Sequence, residues 1–275
     1  MRVAIAVVCL SCVACGTLAP TVARSHTRTV APLLAVVTWN MNAGRGDLSR
    51  LIADLESGRL AGAPATEYVL LLQEATREVV NVLEARSARE METFFVPVWN
   101  DGTRTRGNAL VSTAPLEDPR TIMLPKERQP RMAVAASITV AGERLFVVSV
   151  HLENRVSWLR GGLMSDTARG RQAEALLRAL PVNEPGILGG DMNTWLGVNE
   201  PAWRTFRPRF PDTPADTPVP SPTFRDRLVL DHLFFDLPAR WYATRRVVAD
   251  RYGSDHHPVL GLITKLPTPN FQPPS

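Results

Sequence analysis

The feature that most constrains this chain is a set of short apolar runs, each stopping abruptly at a polar residue. Leu34 to Trp39 runs into Asn40-Met41-Asn42, Tyr68 to Leu72 into Gln73-Glu74, and Leu145 to Val150 into His151. Ile187-Leu188-Gly189-Gly190 runs into Asp191, and Asp231 opens another apolar run. Such runs read as buried strands. A polar residue at the end of a buried strand projects at the sheet edge, where sites gather. Taken singly, each reads as a hydrogen-bonded strand terminus. Five or six such ends bearing carboxylate, amide and imidazole groups read together as a site.

Between these runs lie helical patterns. Asp47 caps a helix to Leu55, and Thr76 to Arg89 places Val79, Val80 and Leu83 on one side. Asp166 caps a helix to Leu180 in which Ala173, Leu176, Leu177 and Leu180 share a face, and Pro181 stops it. Met132 to Val140 and Arg144 to Val150 form a hairpin with Ala141-Gly142 at its turn. Asn108 to Ser112, Leu228 to Phe235, Trp241 to Val248 and Val259 to Thr264 complete the strands, and Pro208 to Pro222 is a proline-rich loop. Hairpins mixed with helix-separated strands predict a mixed α/β protein with sheet on sheet and helices outside, more than a doubly wound parallel sheet. No repeat or composition break divides the chain, so residues 33–266 are expected to form one domain. With 45% hydrophobic residues over 275 positions, such a domain buries a sufficient core without a disulfide staple.

The first 25 residues read as a signal peptide: Met1-Arg2, an apolar stretch from Val3 to Cys15, then small residues. Residues 26–32 read as a linker and 267–275 as a disordered tail. Val13-Ala14-Cys15-Gly16 is similar to a bacterial lipobox, with Cys12 where Leu is usual. A lipid on Cys15 would tether the protein to a membrane, and cleavage further along would release it. Both outcomes place it outside the cytoplasm. Cys9, Cys12 and Cys15 are the three cysteines, so the body has none. That excludes a disulfide framework, thiol catalysis and cysteine-ligated zinc there. The net charge of the whole chain is +4, so the body is not the strongly basic one that a nucleic-acid binder presents. The chain is expected to act as a monomer.

The polar ends have a shared chemistry. Glu74, Asn42 and Asp255 offer hard oxygen ligands, suited to Mg²⁺, with Mn²⁺ or Ca²⁺ as alternatives, and not to zinc. His151 and His256 can donate to phosphoryl oxygens or shuttle a proton, and Asp231 can orient His256. No Gly-x-Ser-x-Gly turn, phosphate-binding Walker loop or Gly-x-Gly-x-x-Gly stands in the chain. Carboxylate, amide, imidazole and one divalent ion suit attack by water on a phosphoester.

The motifs Thr38-Trp39-Asn40-Met41-Asn42, Leu72-Gln73-Glu74, Gly107-Asn108-Ala109-Leu110-Val111-Ser112, Ser149-Val150-His151-Leu152, Gly190-Asp191-Met192-Asn193-Thr194, Leu230-Asp231-His232 and Ser254-Asp255-His256-His257-Pro258 stand in this order. In sequence and order this set resembles the endonuclease/exonuclease/phosphatase superfamily, the deoxyribonuclease I-like fold, over Leu34 to Thr264. The resemblance implies an α/β (α+β) four-layer sandwich, two central mixed β-sheets flanked by helices, with the site at one mouth. It implies that Glu74 binds the metal with Asn42 and Asp255 nearby. Asn40 and Asn108 would lie beside the scissile phosphate. Asp191 would position or deprotonate the attacking water, Asn193 would stabilise the phosphate, and His256 would be catalytic and paired with Asp231. His151 matches the second histidine of the deoxyribonuclease I and sphingomyelinase branches, and abasic-site endonucleases typically differ there.

Some residues depart from the pattern or flank it. His232 stands where Tyr is common and reads as structural. His257 follows His256 on a strand-like segment and must point the other way, so it is assigned to packing. Arg77 and Arg106 are expected at the surface, Arg169 and Gln172 in salt bridges, and Trp195 either in the core or on the wall of the site. The substrate stays open among nucleic acid, a phospholipid or sphingomyelin, and small phosphomonoesters or inositol phosphates. A lipid would require an exposed apolar lid, for which the sequence offers only Trp158-Leu159. A catalytically silent binding module would have lost Glu74, Asp191 or His256, and all three are present.

Overall fold

A computed structural model describes residues 32–86, 91–100, 105–154, 165–214 and 221–266. The expected signal segment with its cysteines, nearly all of the expected linker, the expected tail, Trp158-Leu159 and the middle of the expected proline-rich loop lie outside the described residues. Among the described residues, eleven strands form two sheets. The first contains β1 (Leu34–Asn40), β2 (Tyr68–Thr76), β3 (Glu92–Asn100), β4 (Thr105–Ser112), β10 (Trp241–Val247) and β11 (Val259–Lys265), in the order β10-β11-β1-β2-β4-β3. The second contains β5 (Glu117–Met123), β6 (Met132–Val140), β7 (Glu143–His151), β8 (Gly186–Asp191) and β9 (Asp231–Asp236), in sequence order. Each sheet has one parallel pair, β1 with β2 and β7 with β8, and is otherwise antiparallel.

Burial on both faces explains the unbroken apolar runs. Along β1, Ala35, Val37 and Trp39 face outward onto α1 (Leu48–Glu56) and α2 (Arg77–Arg86), while Leu34 and Val36 face the other sheet. The second sheet does the same. Val147 and Ile187 point between the sheets, and Phe146, Val148 and Leu188 pack on α3 (Ser165–Ala179) and α4 (Pro201–Phe206). The result is helix, sheet, sheet, helix, the sandwich expected from the sequence. Among the described residues, no helix is long and apolar enough to cross a membrane.

Most expected elements form within a residue or two. The oxygen of Asp47 accepts the Arg50 N–H and caps α1, and Ala141-Gly142, both at positive φ, turn the β6–β7 hairpin. Four features differ. Strands β3 and β5 were not anticipated: they lie at sheet edges, and their alternation is diluted by exposed polar residues. Helix α4 is a six-residue segment opened by Pro201, too short for a periodic signature. Helix α3 already begins at Ser165, and Asp166 accepts from the N–H of its neighbour Thr167 in place of a cap at the next turn. Strand β9 begins only at Asp231, because Leu228 belongs to a tight turn whose N–H and carbonyl both pair with Phe224.

His232, on β9, is fully buried against Trp203 of α4, with ring centroids 4.8 Å apart. The Thr194 hydroxyl donates to the Val229 carbonyl, so the His232 Nε2, 2.7 Å away, donates its N–H to that hydroxyl. This assignment makes the ring neutral and leaves Nδ1 as an unpartnered lone pair. Burial, with Arg245 nearby, depresses its pKa to about 3, in keeping with a structural role. A depressed folded-state value gives stability that is present above the ordinary histidine pKa and lost as pH falls towards the folded one.

Two outcomes follow for stability. Between pH 7 and pH 5 the wild type should lose about 2 kcal/mol more than His232→Gln in urea unfolding, the proton-linkage cost of a neutral buried imidazole. A Cβ on Gly189 would meet Leu71 at 2.6 Å and Leu233 at 2.8 Å between the sheets, so Gly189→Val should cost at least about 1–3 kcal/mol in the same assay.

Candidate active site

The two parallel pairs end at the same edge of the sandwich. Register places Asn40, at the end of β1, beside Gln73 of β2, and Asp191 between His151 and Asp231 where β7 and β8 end and β9 begins. Face-to-face packing brings these ends together. The Asn40 amide donates to Asp191 Oδ2 at 2.9 Å, a hydrogen bond from one sheet to the other. Beneath it, the buried Gln73 amide nitrogen lies 3.0 Å from the Ser149 hydroxyl, which itself donates to the Leu72 carbonyl.

Glu74 reaches the site through a break in its strand. The ladder between β2 and β4 shifts register between Leu72 and Ala75, and Glu74 takes a φ of +51°. Gln73 and Glu74 thus oppose the single residue Asn108. This β-bulge inserts Glu74 as an extra residue and aims its carboxylate out of the pleat. Asn42 and Asn193 are also left-handed, with φ of +48° and +49°. Three site residues in this sparsely populated region mark a locally strained rim. Glu74 Oε2 accepts the Ala43 N–H at 3.0 Å and lies 3.5 Å from Arg106 Nη1.

The other polar ends converge on Asp191. Its Oδ1 accepts the Asn193 N–H, and its Oδ2 lies 3.5 Å from His151 Nε2 and 3.9 Å from His256 Nε2. His256 Nδ1 is 2.8 Å from Asp231 Oδ2, while the other oxygen of Asp231 is buried without a partner. The Ser254 hydroxyl donates to the Asn40 carbonyl and accepts the His256 N–H, which ties the His256 segment to β1.

The two imidazoles differ in charge. Burial disfavours protonation of His256, but Asp231, Asp191 and Asp255 together outweigh it and raise its pKa to about 10. His151 is held well below the ordinary value by burial, Arg131, His256 and Arg106. Near neutral pH the site therefore holds one imidazolium and one neutral imidazole. Burial and the nearby Asp231 raise Asp191 to about 7, against the opposing pull of His256 and the hydrogen bonds from Asn40 and Asn193. A carboxylate with its pKa there is poised to take a proton.

The site opens into a cavity of about 400 Å³ lined by Asn40, Asn42, Glu74, His151, Asp191, Asn193, Asp255 and His256, with Trp195 and Phe224 as aromatic walls. Asp255 lies 3.3 Å from Arg225 on this wall. All of these sequence-predicted residues share one cavity. Asn108 stands apart: it lines an adjoining cavity, and its amide donates to the Met132 carbonyl across the sheets. Trp195 is on the wall, not in the core. With Leu196 and Val198 it forms an exposed apolar stretch that the sequence alone did not point to. Arg106, expected at the surface, is instead half-buried beside Glu74, and Arg77 lies over the Phe95 ring. His257 points away from the cavity, between the Val248 carbonyl and Asp226.

Arg169, buried in α3, pairs with Glu200 at 2.6 Å and donates to the Glu153 and Asn154 carbonyls. Glu200 in turn accepts the Leu196 N–H. One ion pair thus clamps the loop after His151 to the loop after Asp191, and Gln172 accepts the Glu153 N–H beside it. Arg128, Arg131, Glu153 and Phe224 also border the two cavities. Sequence reading missed them because they sit in loops without a motif.

Two sets of side chains could hold a cation. Among the described residues, Asp191, Asp231 and His256 form a group of carboxylate and imidazole ligand atoms within 4.8 Å of one another. That set is fully buried, and its carboxylates and imidazole already engage each other. Glu74, Asn42 and Asp255 line the open cavity, and no hydrogen bond among the described residues engages Glu74 Oε1. A hard divalent ion fits this second, oxygen-rich and accessible set better.

Comparison with known proteins agrees with this geometry. Residues 37–256 match the Endonuclease/Exonuclease/phosphatase family. No curated protein matches the chain. Among solved structures, the human Nocturnin catalytic domain is similar with a TM-score of 0.62 at 19% identity, over 86% of this chain and 96% of that one. An endonuclease/exonuclease/phosphatase from Beutenbergia cavernae has a TM-score of 0.61 at 18% identity, over 84% of this chain and 71% of that one. A mannosyl-6-phosphatase from Bacteroides thetaiotaomicron has a TM-score of 0.60 at 14% identity, over 84% of this chain and 99% of that one. Likeness at these identities establishes the shared fold. The match across most of the chain, over a site of this composition, makes this protein a member of the endonuclease/exonuclease/phosphatase family.

Proposed function

We propose that this family member is a metal-dependent phosphodiesterase that hydrolyses its substrate by attack of water on phosphorus. The observation that carries the reading is the convergence on Asp191 Oδ2 of the Asn40 amide and two imidazoles of unlike charge. Asp191, with its raised pKa, orients the water and takes its proton. His256, held by Asp231, presents the positive charge and N–H that a phosphoryl oxygen gains as the bond to water forms. As the acid of the pair, it can also protonate the leaving oxygen. His151, neutral, supplies a further N–H. Asn40 keeps Asp191 in register, and Asn193 holds the opposite carboxylate oxygen through its backbone. A divalent cation of the Mg²⁺ class, held by Glu74 with Asn42 and Asp255, would supply charge neutralisation at the phosphate.

Space on both sides of the phosphorus favours a diester over a monoester, because a second cavity adjoins the catalytic one. A lipid phosphodiester is the second reading, favoured by the exposed Trp195, Leu196 and Val198 beside the site. We propose further that the protein acts outside the cytoplasm, free or tethered through a lipid on Cys15. The basic start and apolar stretch of the first 25 residues support this.

With bis-nitrophenyl phosphate as substrate, turnover should vanish in EDTA and return with Mg²⁺. Glu74→Gln, Asp191→Asn and His256→Gln should each lower kcat by about a hundredfold or more, the usual size of acid–base and charge-stabilising contributions. Near-native turnover in any of the three, with unfolding curves unchanged, would overturn the assignment. Arg169→Met should lower kcat with little change in KM, since the clamp positions His151 and Asp191 without reaching substrate.

A further inference from the structure

Beside the catalytic pocket lies a second cavity of about 270 Å³ that shares Glu74, Arg128, His151 and Asn154 with it. Its own wall carries Arg131, immediately before β6, and Trp99, on β3 and 39% exposed. Arg131 is buried, yet no hydrogen bond engages its side chain among the described residues, and its Nε has no partner. The carboxylate beside it, Glu153 Oε1, is 3.8 Å away, beyond hydrogen-bond reach. Glu153 is already committed: its two oxygens accept the N–H groups of Arg128, Gln129 and Asn154, each at 3.1 Å. A buried guanidinium whose Nε has no acceptor and whose carboxylate partner stays 3.8 Å away is costly for a fold to retain. An acceptor from outside the chain resolves that cost.

We propose that this cavity is a subsite for a second anionic group of the substrate, received by Arg131, with Trp99 packing against a planar ring. The substrate class is a nucleotide-type phosphate ester bearing a further phosphate next to the scissile one. The inference rests on the phosphodiesterase reading of the adjoining pocket. A guanidinium fork matches phosphate oxygens two at a time, and an exposed indole is the side chain on which bases stack. Arg106 and Arg128 line the same wall and add to its positive charge. The two cavities meet at Glu74 and His151, so an anion at Arg131 lies next to the phosphorus held at Asp191 and His256, not in its place. A phosphocholine headgroup would bring its quaternary ammonium against these guanidiniums, which disfavours a choline lipid here.

Calorimetric titration of the full chain with thymidine monophosphate and with thymidine bisphosphate, phosphorylated on both hydroxyls, tests the proposal. The bisphosphate should bind about tenfold tighter or better, the gain expected of one charge-assisted pair. Arg131→Gln should bring the two affinities within about twofold of each other, the residue of a lost charge pair. Trp99→Ala should weaken the bisphosphate while leaving inorganic pyrophosphate unchanged. Equal affinities for the two nucleotides in the wild type would overturn the proposal, as would an Arg131→Gln protein that keeps the full preference. Should Arg131→Gln not fold, the wild-type ratio and the Trp99→Ala comparison still decide. These readouts do not need turnover, so loss of the hydrolysis predicted above would strike the phosphodiesterase reading separately from the subsite.

Discussion

The site depends on how closely the two sheets approach at one edge. Over most of their area they are joined by apolar side chains such as Val36, Leu71, Val147 and Ile187, an attraction without direction. At the site edge the joint becomes polar and directional: Asn40 to Asp191, Gln73 to Ser149, and Ser149 to the Leu72 carbonyl. Glycine makes the approach close enough, since Gly189 lies where any side chain would meet Leu71 and Thr38 of the facing sheet. Buried hydrogen bonds of this kind contribute modestly to net stability but are costly to leave half made. They therefore set the alignment of the sheets more than the strength of their association.

That alignment has chemical consequences. Asp191 is buried between Asn40, His151 and His256 only because two sheets present their strand ends to each other. The same burial that raises the Asp191 pKa lowers that of His151, while Asp231 reverses the effect on His256. Asp191 and the two imidazoles within 4 Å of it thus reach three different protonation preferences from position alone. The Arg169–Glu200 clamp and the Ser254 hydroxyl hold the flanking loops to this arrangement.

The neighbouring cavity extends the same logic to recognition. Most of the candidate catalytic groups stand at or next to strand ends, whereas Arg128, Arg131 and Glu153 come from loops between or after strands. The candidate catalytic set is suited to a phosphorus centre in general. The loop set, with Trp99 at its border, differs in chemistry from it and is where selectivity for one phosphate ester over another would arise.

Much of this was legible in the residues themselves. Apolar runs ending in Asn40, His151 and Asp191 mark strands buried on two faces with polar ends, because a sheet covered on both sides tolerates polarity only where it stops. The seven ordered motifs carried the family and the residues that meet in the cavity. The strand edges β3 and β5 were not legible, since exposed edges lack an apolar signature. Nor was the bulge that aims Glu74, because a register shift belongs to a pair of strands and neither one encodes it alone. Packing alone decided that Trp195 walls the site, that Arg106 faces Glu74 and that Arg131 is buried with its Nε unpartnered. Local sequence specifies which backbone can be buried. Which side chains then meet, and what charge they carry, is set by the distance between surfaces remote in the chain.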